Sequence, residues 1–153
     1  MRDLPSPDMR NLPSLQARKP DVQAAMVVLA RREVAFGDAD RLDLTRVDLR
    51  RAYLAWPKLE SARLQGVVLQ YSDLQLCNLE AADLRNADLW GADLSWSNLK
   101  RASLCKAVLQ DANLWGAELE GADLREARAN AKTRWPAGFD PKAAGVLPDQ
   151  TGN

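Results

Sequence analysis

The sequence predicts an all-β solenoid of about four square coils with an N-terminal capping α-helix. Three observations predict it. Leucine stands at every fifth position from Leu44 to Leu124, seventeen times without a break. Two residues before most of these leucines sits a small or modest side chain. It is usually alanine, as in Ala82, Ala87, Ala92 and Ala102, with Val47, Val67, Ser72, Cys77 and Ser97 as variants. The residue just before the leucine is often Asp or Asn, as in Ala82-Asp83-Leu84 and Ala112-Asn113-Leu114.

A period of five suits neither standard element, because a helix needs apolar spacing near 3.6 and a strand near 2. On a straight helix, leucines five apart would advance by roughly 500° each and bury nothing together. A chain that turns a corner every five residues solves the problem. Four corners close a coil of 20 residues, and the coils stack. The leucine and the small residue two before it point inward, and the other three positions face water. Such a coil gains a core only from its neighbours. With stacked strands about 4.8 Å apart, four coils make a rod roughly 20 Å long.

The A-(D/N)-L-x-x pattern resembles the pentapeptide-repeat family over about residues 40 to 128. The resemblance implies a right-handed quadrilateral β-helix; the spacing alone leaves the hand open.

Residues 1–20 carry Pro5, Pro7, Pro13 and Pro20 among scattered charges and read as a flexible arm. Its role is either a plain lead-in or a partner-binding arm. Residues 21–36 read as a capping helix. Asp21 is an N-cap candidate, Val22, Ala25, Met26 and Leu29 follow helical spacing, and Arg31 and Arg32 suit the last turn. Its apolar face fits the open first coil of the solenoid. Residues 37–128 form the β-helix. Pro57 falls in an inward slot and, lacking a ladder donor, predicts an irregular corner. In residues 129–153 the period lapses. Trp135 and Phe139 are natural plugs for the open end, or a dimer contact through it, and disorder is expected after Leu147.

The totals bound the function. Lys and Arg balance Asp and Glu at 21 each, which argues against general attraction to nucleic acid or an anionic membrane. No apolar run reaches the roughly 20 residues needed to span a bilayer, and the start lacks an apolar leader centre, so a cytoplasmic protein is expected. There is no histidine, which removes His-dependent nucleophiles and metal sites. Cys77 is expected inside and Cys105 outside, on different walls, so they form neither a disulfide nor a metal pair. The Asp and Asn residues read as turn-capping groups. No phosphate loop occurs. No catalytic residue, cofactor, metal or small-molecule substrate is expected.

The informative feature is aromatic. Tyr53, Trp56, Leu76, Trp96 and Trp115 fall on the wall whose ladder is Leu54, Leu74, Leu94 and Leu114. Tyr71 and Trp90 fall on the preceding wall, toward the shared edge. Two readings stand. The rings are covered by the N-terminal helix, by the tail or by their own coils; or they form a contact surface for a protein partner or a second copy.

Three functions compete. The first is a non-enzymatic scaffold for protein–protein interaction. The second comes from the resemblance: some members of the family mimic DNA and bind DNA gyrase, with inhibition or quinolone protection as the result. That role needs a dense negative surface, whereas residues 40–128 hold 14 acidic and 12 basic side chains. The third is an accessory module of a membrane-associated system. Residues Asp21 to Arg32 resemble a stretch that precedes the repeats in some bacterial membrane-anchored members. Without spanning helices, a membrane link would run through a partner.

Overall fold

The fold is given by a computed structural model, which describes residues 41–54 and 58–149. The expected arm, the expected helix over 21–36, Trp56 and Pro57 lie outside the described residues.

Each pentad makes one corner. At the corner after Leu89, the amide of Ala92 donates to the Leu89 carbonyl at 3.0 Å. The residue before the alanine, Gly91, has φ of +63°. A three-residue hydrogen bond with positive φ only at the third position is a type II turn. Among the described residues the same φ recurs at twelve non-glycine corners, from Arg46 to Glu126, at 55–61°. An L residue there costs about 1–2 kcal/mol. Ladder hydrogen bonds on both sides of each corner offset that strain.

The coils are joined in parallel. Leu94 donates its amide to the Asn113 carbonyl at 2.7 Å, and Asn113 donates back to Ala92 at 2.9 Å. Among the described residues, fourteen isolated parallel bridges link residues 20 apart, from Asp43↔Arg63 to Val108↔Arg128. Strands this short leave one bridge per wall per coil, so the sheet consists of single bridges and not of long strands.

Four ladders of leucine fill the interior. We call their walls first (from Leu44), second (from Leu49), third (from Leu54) and fourth (from Leu59). Leu84, Leu89, Leu94 and Leu99 are fully buried, as are Ala82, Ala87, Ala92 and Ala102 beside them. The polar variants in the small inward slots are satisfied. Ser72 and Ser97 donate to the Leu69 and Leu94 carbonyls at 2.7 Å, and the Cys77 thiol donates to the Leu54 carbonyl. Cys105 faces outward and is half-buried.

Where the residue before the leucine is Asp or Asn, it caps the next corner. Asp93 accepts from the Ser95 amide at 2.9 Å, and Asn98 accepts from the Lys100 amide at 3.1 Å. The other carboxylate oxygen often ties coils together: Gln70 donates to Asp88 at 2.7 Å and Gln75 to Asp93 at 3.0 Å.

After residue 128 the register shifts. The bridge Asn113↔Arg134 spans 21 residues, with one residue added at the Asn130–Thr133 corner. Thr133 fills that corner and donates its hydroxyl to the Leu109 carbonyl at 2.9 Å. Strand β1 (Arg128–Ala129) then pairs in parallel with β2 (Leu147–Pro148), Arg128 opposite Leu147. The pairing continues to Asp149, whose amide donates to the Ala129 carbonyl at 2.7 Å. Lost leucines do not end the coil, because the backbone ladder continues without them. Trp135 and Phe139 stack at 5.2 Å and pack on the core beside half-buried Leu119.

Leu84→Ala is expected to cost about 2–5 kcal/mol, because the stacked coils hold the cavity open. Ala87→Val is expected to cost about 1–3 kcal/mol by overpacking. Urea denaturation of each variant measures both.

Candidate functional site

Among the described residues, six of the seven exposed large apolar side chains lie on the third wall and its two edges; the seventh is Leu147. Tyr53 lies mid-wall on the first coil, Tyr71 and Trp90 stand on the edge shared with the second wall, and Leu76, Trp96 and Trp115 stand on the edge shared with the fourth. All six are between 44% and 57% exposed, so the described tail, residues 129–149, does not cover them.

The rings are not one sheet. Trp96 and Trp115 meet edge-to-face with centroids 4.7 Å apart, an attractive geometry. Among the described residues the other ring contact is Trp135 with Phe139. Between the two aromatic edges runs a polar column, Asp73, Asp93 and Asn113, bridged coil to coil with Tyr53 at its start. The outward apolar side chains thus form two rails around a polar strip. The reason is geometric: Tyr71, Trp90, Leu76, Trp96 and Trp115 occupy corner positions, and corners of a square coil project outward along its edges.

Glycines seat two of the rings. A Cβ on Gly116 would lie 2.6 Å from the Trp96 ring, and one on Gly91 would lie 2.6 Å from the Tyr71 ring. Each ring therefore lies across the glycine one coil further on. The sequence carries this signal as an aromatic followed by glycine 20 residues later. Trp90 is held differently, its indole N–H donating to Asp111 at 3.3 Å.

The first wall bears a second feature that sequence reasoning missed, an open groove of about 550 Å³. Arg85, Cys105 and Arg125 line it at 20-residue spacing, with Arg101, Asp83 and Asp123. Its cations are already paired. Arg85 chelates Asp83 at 2.8 and 2.7 Å, Arg125 chelates Asp123 at 2.9 and 2.7 Å, and Arg101 pairs with Glu80. The Arg85 guanidinium lowers Asp83 from its ordinary 3.8 to about 2, against some burial, with help from Gln65. Asp123 falls to about 2 through Arg125, by side chain and then backbone. A groove compensated in this way offers little free charge to a ligand. Among the described residues no group of three or more His, Cys, Asp or Glu could hold a metal, and no helix is long and apolar enough to cross a membrane.

Gly116→Ala is expected to displace Trp96 and to alter the near-UV circular dichroism of the Trp96–Trp115 pair. Gly121→Ala, which meets only the Arg101 stem at 3.4 Å and its backbone beyond, is expected to leave that signal unchanged. Lowered carboxylates stabilise the fold above their unfolded value and lose that effect as pH falls. Stability is therefore expected to decline from about pH 4 toward about pH 2, by no more than about 1 kcal/mol for each pair after solvent screening. Acid titration of the urea midpoint, with Arg85→Ala plus Arg125→Ala showing a shallower decline, checks this.

Comparison with known proteins completes the picture. The family described as pentapeptide repeats matches in eight copies, over residues 62–101 and 91–126. No curated protein matches. A pentapeptide repeat protein (Rfr23) from the cyanobacterium Cyanothece 51142 is 38% identical, with TM-score 0.60, over 61% of this chain and 63% of its own. The chain thus spans under two thirds of that relative. A pentapeptide repeat protein from Nostoc PCC 7120 is 34% identical over 82% of this chain and 94% of its own, with TM-score 0.41. One from the Arabidopsis thaliana thylakoid lumen is 25% identical, with TM-score 0.53, over 78% of this chain and 90% of its own. The five-residue corners, the leucine ladders and these matches make the chain a member of the pentapeptide-repeat family, whose fold is the quadrilateral β-helix.

Proposed function

We propose that this protein is a non-enzymatic scaffold that binds another protein through its third wall. The observation that carries the reading is the exposure of Tyr53, Tyr71, Leu76, Trp90, Trp96 and Trp115 on one wall and its edges. Large apolar side chains gathered in this way on a rigid rod are typical contact anchors. Rigidity adds to the case, because a solenoid wall loses little conformational freedom on binding. The absence of histidine from the chain supports the non-enzymatic part.

The DNA-mimic reading has weaker support. Residues 40–128 carry a net charge of only −2, and Arg50, Arg85, Arg125 and Lys100 are interleaved with the carboxylates in ion pairs. A gyrase supercoiling assay is expected to show neither inhibition nor quinolone protection at micromolar protein.

Affinity capture with the purified chain as bait tests the leading reading. Trp96→Ala plus Trp115→Ala is expected to lose the proteins that the unaltered chain retains. Identical capture by the double variant removes the third wall from consideration.

A further inference from the structure

Three successive coils present residues 70–76, 90–96 and 110–116 to the third wall and its edges. These stretches hold Asp73, Asp93 and Asp111 and not one Lys or Arg, in a chain with 21 of them. The cations of coils two to four, Arg63, Arg85, Lys100, Arg101 and Lys106, all sit on the first and fourth walls and their other corners. Among the described residues, the flanking cations are Arg50 and Arg51 on the first coil, and Lys132 and Arg134 after the fourth.

The carboxylates of this strip are held by neutral donors. Asp93 accepts from the Ser95 amide and from the side chains of Asn113 and Gln75. Asp73 accepts from the Gln75 amide. Asp111 accepts from Asn130 at 2.7 Å and from Trp90 at 3.3 Å, and these bonds, with a smaller effect of Lys132, lower its pKa. Hydrogen bonds from amides orient a carboxylate without cancelling its charge. Indole and phenol rings flank the strip, and their faces attract cations.

Resting on the proposed function, we infer that the third wall takes a lysine- or arginine-bearing segment of its protein partner, the cations seated between the Trp/Tyr rails over Asp73 and Asp93. The charge complementarity names the occupant. An acidic or purely apolar segment would leave these carboxylates facing like charge or buried without a counter-ion, which costs affinity.

The test uses a dye-labelled peptide of about ten residues, alternating Arg and Gly, and a control alternating Glu and Gly, read by fluorescence anisotropy with the full chain. Asp73→Asn plus Asp93→Asn keeps the corner-capping oxygen, since Asn already fills positions 78, 98 and 113. That variant and Trp96→Ala plus Trp115→Ala are each expected to weaken the Arg-Gly peptide by about tenfold or more, with binding weakening as salt rises. Glu118→Gln plus Glu120→Gln, on the fourth wall, is expected to change it by less than about twofold. Equal weakening by all three variants, tight binding of the Glu-Gly control, or no binding of Arg-Gly overturns the inference. So does sedimentation showing a self-associated state that only the tryptophan variant disperses, because the occupant is then a second copy. If the tryptophan variant loses its captured proteins while Arg-Gly fails to bind, the docking wall stands and the basic partner falls. If capture is unchanged, the docking wall itself falls.

Discussion

The structure depends on one backbone contact, the corner hydrogen bond from the small residue's amide to the preceding leucine carbonyl. It closes a turn every five residues and forces the residue before the alanine into the left-handed region. Arginine, tyrosine, tryptophan and leucine all take that conformation here, at φ near 55–60°. Such residues adopt it only when the surroundings leave no alternative. The surroundings are the coils above and below, each supplying a ladder bond on either side of the corner. Stability of this kind is collective, and a single coil cut from the stack would keep neither its corners nor its core.

That constraint separates inside from outside. The inward slots admit only leucine and a small partner, and the few polar side chains among them bond to the nearest carbonyl. The outward positions are free to vary without disturbing the coil, so the protein's individuality lies on its walls. The arginine–carboxylate pairs of the first wall neutralise one another, whereas the third wall keeps its rings exposed and its Asp73 and Asp93 carboxylates hydrogen-bonded to amide donors.

Much of the fold was legible in the linear chain. The inward placement of Leu84 or Ala92 follows from the period alone, as does the capping role of Asp93. The grouping of Trp96 with Trp115 also follows, because wall membership is arithmetic modulo 20. The final coil was less legible. Ala129 and Arg134 stand where leucine is due, so the period fails although the ladder goes on. Backbone pairing has no side-chain signature, and an added residue at Asn130–Thr133 is invisible without coordinates.

The sequence by itself determined the five-residue corner, the leucine interior and the side of the rod on which each outward residue falls, because each follows from a strict repeat. Only the tertiary structure decided how neighbouring coils use those outward residues. It laid Tyr71 on Gly91 and Trp96 on Gly116, split the aromatics into two rails, and paired Arg85 and Arg125 with carboxylates. The physical reason is that a repeat fixes position and backbone direction, while the resting place of a long side chain is set by the free space and the partners that the next coil offers.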